Sequence, residues 1–90
     1  MNRVGVYILK CSNGRYYVGS TQDIENRFTE HSAGRVTATK NLLPVEVALF
    51  QPCATVVEAR KLEYRVKQLK NRRIIERMIA DQEIKLIVGR

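Results

Sequence analysis

The dipeptide Asn13-Gly14 constrains this fold more than any other feature, because it separates two short runs that are typical of strands. Residues 4–9 and residues 16–20 are rich in β-branched and aromatic side chains, which pack well on a pleated surface. An Asn-Gly pair between two such runs is a strong hairpin signal, since both residues tolerate the backbone of a tight turn. The sequence therefore predicts an antiparallel hairpin over residues 4–20.

The length of the hairpin loop decides whether Tyr7 and Tyr17 share a face of the sheet. Side chains alternate between the two faces, so a two-residue turn would place these tyrosines on opposite faces. We predict a loop with an odd number of residues and Gly14 in a bulge, because a shared site needs both phenols on one face. Gly5 and Gly19 lie beside the tyrosines in sequence and leave room for another group to approach the backbone. The alternative is an aromatic pair that only stabilises the hairpin.

A helix and a third strand should follow the hairpin. Ser20 or Thr21 can cap the N-terminal end of the helix, which we expect to run from about residue 23 to His31 and to stop near Gly34. Residues 45–50 lie between two prolines and have the composition of a strand. These segments extend the predicted sheet to three strands.

Two amphipathic helices complete the predicted order. The sequence Thr55-x-x-Glu58 is a capping box, after which apolar residues repeat at helical spacing. Asn71 can cap a second, shorter helix, and residues 83–88 are ambiguous between a strand and a final turn. A chain of 90 residues is too short for two cores, so we expect one domain over residues 1–90. The fold class is α+β, with a small three-stranded antiparallel sheet flanked by helices in the order β-β-α-β-α-α.

Charge and composition indicate the class of partner. Sixteen Lys and Arg residues against nine Asp and Glu residues give a net charge of +7, which attracts polyanions. Nucleic acid is the commonest such partner, although charge alone fits a basic protein without one equally well. Two cysteines and one histidine exclude the usual four-ligand zinc sites. With no signal peptide and no apolar run near the roughly 20 residues of a membrane span, we expect an intracellular, cytoplasmic protein that does not bind membranes.

Three polar residues lie at the edges of predicted buried faces. At about 100° per residue, His31 lies about 20° from Ile24 on the first helix, and Arg27 lies about 60° from it. Burying such groups without partners is costly, so partners or a ligand should be present, unless the arginine reaches solvent and the histidine is satisfied in the core. Glu63 lies about 40° from Ala59 on the long helix, where its alternative role is an ion pair with a neighbouring lysine.

Taken together, these residues resemble the signature of the GIY-YIG nuclease superfamily. The triplets Gly5-Val6-Tyr7 and Tyr17-Val18-Gly19, with nine residues between them, resemble its paired motif. Arg27 and His31 lie where the helix of the family carries an arginine and a frequent histidine. Residues 34–44 resemble the loop of the small stand-alone members, and Glu63 lies in the position of the metal-binding glutamate.

The resemblance implies a metal-dependent endonuclease that hydrolyses DNA phosphodiester bonds in repair, recombination or a related process. Glu63 would hold one divalent cation, Mg²⁺ or Mn²⁺, and Arg27 would place positive charge on the scissile phosphate. Tyr7 would orient or deprotonate the attacking water, which requires a phenol pKa below its usual value of about 10. His31, with an ordinary pKa near 6.5, would accept that proton or hold Tyr7 in place. Tyr17 would contact the phosphate or tune Tyr7.

DNA is the expected partner, with a partner protein as a possible source of specificity and no oligomeric state implied. Contacts to the DNA backbone are expected from seven residues: Arg35, Lys40, Asn41, Lys67, Lys70, Arg72 and Arg73. Two other functions fit the same fold. The first is a catalytically silent nucleic-acid-binding module, and the second is a subunit that docks onto a larger enzyme through the basic segment at residues 67–73.

Overall fold

The structure, a computed structural model, describes residues 3–84. Its elements are β1 (Gly5–Lys10), β2 (Tyr16–Thr21), α1 (Ile24–Ser32), β3 (Glu46–Pro52), α2 (Val56–Leu69) and α3 (Arg72–Asp81). This order confirms the predicted α+β fold. Most of the ambiguous segment, from residue 85 onward, lies outside the described residues. Of the helices in this range, none combines the length and the apolar composition that a bilayer span requires.

The β1–β2 hairpin has the predicted odd-numbered loop. Cys11 and Arg15 close the loop through a hydrogen bond of 2.8 Å, and the three residues between them form a turn in which the Gly14 N–H donates to the Cys11 carbonyl. Gly14 has φ of 86°, the left-handed conformation that follows a type I turn in hairpins of this length. The resulting register pairs Leu9 with Tyr17, so Tyr17 shares a face with Tyr7, as predicted.

β1 is the central strand of the sheet, which has the order β2-β1-β3 and is antiparallel throughout. Both faces of β1 are covered, and residues 5–9 are all buried. On one face, Val6 and Ile8 pack with residues of α2 and α3. On the other face, Tyr7 and Leu9 pack with Ile24 at the start of α1 and with the connection to β3. The sheet therefore separates α1 from α2.

The cap of α1 differs from the sequence-based expectation. Asp23 is the N-cap residue, and its side chain accepts a hydrogen bond from the Asn26 N–H at 3.2 Å. Thr21 instead accepts from the Asp23 N–H at 3.0 Å and so shapes the turn before the helix. Ser20 lies in β2, and its hydroxyl donates to Glu63. The prediction that Ser20 or Thr21 caps α1 is wrong, because both hydroxyls have other partners.

The caps of the other two helices were predicted correctly. Thr55 accepts a hydrogen bond from the Glu58 N–H at 3.1 Å, while the Glu58 carboxylate accepts from the N–H of Ala54. Asn71 accepts from the Ile74 N–H at 3.3 Å and begins α3. The two contacts at the start of α2 fix the direction in which this helix leaves β3, and thereby the face that α2 turns toward the sheet.

Each of the two signature glycines accommodates a close contact from within the protein. A Cβ atom at Gly19 would lie 2.5 Å from the Tyr7 hydroxyl oxygen, because the Tyr7 ring crosses the neighbouring strand at this position. A Cβ atom at Gly5 would collide with the Gln51 carbonyl and the Phe50 ring. The space predicted beside these glycines is therefore occupied by other side chains and backbone of the same sheet.

We expect Gly19→Ala to reduce the free energy of unfolding by about 1–3 kcal/mol, because the added methyl group must displace the Tyr7 ring. Urea denaturation would measure the loss, and near-UV circular dichroism would report the altered environment of the tyrosines. Gly14→Ala is the control for the near-UV signal: a Cβ atom there meets no neighbour, so this variant loses stability through strain of a left-handed backbone but should leave the environment of the tyrosines unchanged. Unchanged stability in Gly19→Ala would contradict the packing described.

Candidate active site

Three aromatic side chains meet on the face of the sheet that α1 covers. The Tyr7 and Tyr17 ring centroids lie 6.2 Å apart. The His31 ring, from the last turn of α1, lies 5.6 Å from Tyr7 and 5.1 Å from Tyr17, edge-on to both. The odd hairpin loop places the tyrosines side by side, and the helical spacing of Ile24 and His31 directs both residues toward the sheet. Three of the five predicted catalytic residues therefore share one cluster.

A hydrogen-bonded chain runs from Tyr7 through His31 to Thr39. The Tyr7 hydroxyl lies 3.0 Å from His31 Nε2, and His31 Nδ1 lies 2.8 Å from Thr39 Oγ1. Tyr7 is 1% exposed, and His31 and Thr39 are completely buried. The connection that carries Thr39 is tied to the β1–β2 hairpin, because the Ser12 N–H donates to the Leu42 carbonyl at 2.9 Å. Thr39 is a site residue that the sequence showed only as one position of the family loop.

The positions of the protons in this chain follow from its donors and acceptors. Arg27 Nε donates to the Tyr7 oxygen at 3.3 Å, so the Tyr7 hydroxyl keeps its hydrogen and donates it to His31 Nε2, which accepts. His31 Nδ1 then carries a hydrogen and donates to Thr39. This arrangement gives every buried polar atom of the cluster a partner and assigns His31 as a neutral imidazole with a defined tautomer.

Burial sets the direction of both pKa shifts. Desolvation raises the pKa of the Tyr7 phenol above 10.0, and the hydrogen bond from Arg27 offsets only part of this effect. Desolvation, together with the nearby Arg27 charge, lowers the pKa of His31 below 6.5. The expectations of a lowered Tyr7 pKa and an unshifted His31 pKa are both wrong. Burial outweighs the Arg27 charge at Tyr7, whereas at His31 burial and that charge act in the same direction.

Arg27 connects the aromatic cluster to an open cleft. Its Nη1 atom donates to the Glu30 carboxylate at 3.0 Å, one turn further along α1. The hydrogen bond to Tyr7 is the largest cause that raises the pKa of Arg27, so its guanidinium remains charged. A cleft of about 290 Å³ opens beside it and is also lined by Ser20 and by Arg60 of α2. Arg60 is a second cation at this cleft that the sequence pattern did not indicate.

Glu63 reaches the site from α2, on the other face of the sheet. Its Oε1 atom accepts a hydrogen bond of 2.5 Å from the Ser20 hydroxyl, and its Oε2 atom lies 2.6 Å from Lys67 Nζ. Ser20 directly follows Gly19, the residue beneath the Tyr7 ring, and it lines the same cleft as Arg27. Within residues 3–84, no three His, Cys, Asp or Glu side chains converge on one point. The carboxylates that line the Arg27 cleft itself are Asp23, the N-cap of α1, and Glu30, which is paired with Arg27.

The seven predicted DNA-contacting residues are divided among separate surfaces. Lys67, Lys70 and Arg72 line a groove of about 930 Å³ between β2 and the α2–α3 junction. Arg15 and Tyr16 line the same groove but were not predicted, and the Arg72 guanidinium lies 4.7 Å from the centroid of the Tyr16 ring. The rest lie outside this groove: Arg35, Lys40 and Asn41 are exposed on the connection after α1, and Arg73 borders a different pocket on α3.

Comparisons with known proteins show similarity over most of the chain. The GIY-YIG catalytic domain matches residues 3–76. The UPF0213 protein VNG_2274C of Halobacterium salinarum is 40% identical over 65 residues, which cover 71% of this chain and 84% of the relative. The UPF0213 protein lin0209 of Listeria innocua is 45% identical over 64 residues, which cover 70% of this chain and 71% of the relative.

A solved structure is similar over most of the chain. The solution NMR structure of the UPF0213 protein BH0048 from Bacillus halodurans has 32% sequence identity and a TM-score of 0.55, and the match covers 89% of this chain and 84% of that one. Sequence and fold therefore show that this chain belongs to the GIY-YIG family and, within it, to the small UPF0213 proteins.

Proposed function

We propose that this protein is an endonuclease that hydrolyses DNA phosphodiester bonds with one divalent cation, Mg²⁺ or Mn²⁺. Its domain is that of a nuclease family whose members generally use a divalent metal. One observation carries the proposal: the buried Tyr7 hydroxyl contacts a neutral histidine and a charged arginine at the same time. A structural tyrosine would need only one of these partners, whereas activation of water beside a phosphate requires a proton acceptor and a positive charge.

Arg27 supplies the charge for the scissile phosphate in this proposal. Its guanidinium has five N–H groups, of which Tyr7 and Glu30 engage one each. The remaining donors are available to phosphoryl oxygens in the cleft, where Arg60 adds a second positive charge. Because Arg27 is held at two points, it meets the phosphate already oriented.

Tyr7 and His31 act together as the proton acceptor. A phenol with a raised pKa stays protonated at neutral pH, so Tyr7 does not begin as a phenolate. The water proton passes to the Tyr7 oxygen as the Tyr7 proton passes to His31 Nε2, and the hydrogen bond to Thr39 keeps that nitrogen directed at Tyr7. His31 is thus the final acceptor and Tyr7 the relay. Tyr17, beside both rings, contacts the phosphate or tunes Tyr7.

Glu63 holds the cation. Mg²⁺ and Mn²⁺ prefer oxygen ligands, and Mg²⁺ is commonly bound by one or two carboxylates together with phosphate oxygens and water. A single glutamate is therefore a suitable protein ligand for such a cation. When bound, the cation would neutralise phosphoryl charge and stabilise the leaving oxygen. Glu63 contacts Ser20, which lines the Arg27 cleft, and the side chain of Glu63 is 20% exposed, which keeps it accessible.

The DNA backbone follows the basic groove, in continuation of the cleft. Lys67 belongs to the groove and contacts Glu63, so a strand that passes Glu63 continues toward Lys70 and Arg72. Long basic side chains bind phosphates independently of sequence, which supports structure-directed or weakly sequence-specific cleavage. The role in DNA repair, recombination or a related process rests on the family resemblance, and a partner protein is a further source of specificity.

Nicking of a supercoiled plasmid with Mg²⁺ or Mn²⁺ tests the proposed function. We expect Glu63→Ala and Arg27→Ala, shown to be folded by circular dichroism, to lower the rate by about 100-fold or more, because each removes charge stabilisation of the transition state. Glu25→Ala and Arg77→Ala remove exposed charges elsewhere and should nick normally. Equal nicking by all five proteins would point to a contaminant, and DNA binding without nicking would favour the silent binding module.

The pH dependence of stability tests the neutral state of His31. The folded-state pKa of His31 lies below 6.5, so the unfolded chain takes up a proton first as the pH falls. The free energy of unfolding should therefore decrease from about pH 7 toward about pH 5. Above this range His31 is neutral in both the folded and the unfolded chain, so it adds no pH dependence. Urea denaturation of wild type and His31→Gln across this range isolates the effect, since the carboxylates contribute equally to both. Parallel curves would contradict a neutral, buried His31.

The salt dependence of DNA affinity tests the groove. Arg15→Ala and Lys70→Asn should each weaken binding and reduce the slope of log K against log salt by about 1, because each removes one phosphate contact. Asparagine suits Lys70 because this residue has a left-handed backbone, with φ of 47°. Fluorescence anisotropy in EDTA prevents cleavage during the measurement. Lys61→Ala, an exposed lysine of α2 outside the groove, is the control. An equal loss in Lys61→Ala would indicate diffuse attraction instead of a groove.

A further inference from the structure

Each oxygen of the Glu63 carboxylate has a partner of a different kind. The neutral Ser20 hydroxyl donates to Oε1 at 2.5 Å, and the positively charged Lys67 ammonium lies 2.6 Å from Oε2. Such a pair of contacts fixes both the rotamer of Glu63 and the direction of its second oxygen. The sequence motifs assigned Ser20 no role toward Glu63, whereas the ion pair with Lys67 is the alternative role that the sequence allowed for Glu63.

The two partners differ in how easily they can move. Ser20 has a short side chain on β2, and the ladder to Val6 of the central strand holds its backbone in place. Lys67 ends a long flexible stem, is 51% exposed and borders the basic groove with Lys70 and Arg72. Ser20 therefore stays where it is, whereas Lys67 can turn away from Glu63 into the groove at little cost.

We propose that Ser20 and Lys67 are positioning residues for Glu63 with opposite effects on cation binding. Ser20 holds the carboxylate so that Oε2 faces outward, and Lys67 is a placeholder that occupies the position of the cation at Oε2. When the cation binds, Lys67 leaves Glu63 and becomes available to a DNA phosphate in the groove. This inference rests on the proposed role of Glu63 as the metal ligand.

Opposite effects follow from the chemistry of the two side chains. Without the Ser20 hydroxyl, Oε1 loses its partner and the carboxylate can rotate, and loss of a group that orients a metal ligand typically weakens metal affinity 10–100-fold. Without the Lys67 charge, the carboxylate is no longer neutralised, so a cation meets less competition. Lys67→Met removes the charge while it keeps most of the apolar stem.

Isothermal titration calorimetry with Mn²⁺ alone, without DNA, measures both effects. We expect Ser20→Ala to weaken Mn²⁺ binding about tenfold or more, Ser20→Thr to restore most of it, and Lys67→Met to tighten it. In EDTA, where Lys67 stays on Glu63, Lys67→Met should leave the salt dependence of DNA binding nearly unchanged, because no phosphate contact is lost. Ser12→Ala, an exposed serine of the hairpin loop, should leave Mn²⁺ affinity unchanged. A purely structural role of Ser20 would lower the melting temperature without a change in Mn²⁺ affinity.

The outcomes that overturn the inference differ from those that overturn the proposed function. Unchanged Mn²⁺ affinity in Ser20→Ala would remove the positioning role of Ser20. Unchanged or weaker Mn²⁺ affinity in Lys67→Met would remove the placeholder role of Lys67. If the wild-type protein binds no Mn²⁺, or Glu63→Ala binds it equally well, the metal-dependent function itself fails, and this inference fails with it.

Discussion

The burial of one phenol governs the arrangement of the site. The Tyr7 ring lies across Gly19 on the neighbouring strand, where any larger residue would displace it. A hydroxyl taken out of water needs partners, and α1 supplies them as His31 and Arg27. The odd hairpin loop, Gly19 and the position of α1 are thus all needed to bury the Tyr7 hydroxyl with its hydrogen bonds satisfied. The same desolvation keeps the phenol and the imidazole neutral and leaves Arg27 as the charged member of the trio.

Strand β2 joins the two halves of the site. Successive residues of a strand point to opposite faces, so Gly19 borders the Tyr7 side while Ser20 reaches toward Glu63 on the α2 side. A site assembled at the edge of a three-stranded sheet can therefore combine residues from two helices that do not share a face. Tyr7 and Tyr17 belong to the core cluster on the α1 side, whereas Glu63 projects from α2, whose apolar residues pack in the cluster on the other face. Two adjacent residues of β2, Gly19 and Ser20, contact Tyr7 and Glu63 respectively and so set their relative position.

Features that depend on local periodicity could be predicted from the sequence. Predictions were wrong for features that depend on contacts between residues far apart in the chain. The caps at Thr55 and Asn71 follow from spacing alone. The odd hairpin loop, and with it the shared face of Tyr7 and Tyr17, was predicted because a shared site requires it, since spacing alone left both loop lengths open. The cap of α1 could not be predicted from spacing, because Ser20, Thr21 and Asp23 can each cap a helix. The hydrogen bond from Ser20 to Glu63 excludes Ser20, and the sequence does not show this contact. The shift in the Tyr7 pKa was predicted with the wrong sign. Sequence shows which cations are near, but burial depends on the finished fold.

Residues brought in by long connections were the hardest to predict. Thr39 has no periodic neighbour to mark it, and Arg15 and Tyr16 belong to the groove only because α2 and α3 pack beside β2. The hydrogen bond between Ser12 and Leu42 ties the connection that holds Thr39 to the tip of the hairpin. Surface connections normally accept changes in length most readily. Here the length of the segment between α1 and β3 determines the position of Thr39, so an insertion before Thr39 would carry its hydroxyl away from His31. The sites suited to grafting a tag or a second domain therefore lie elsewhere on the chain.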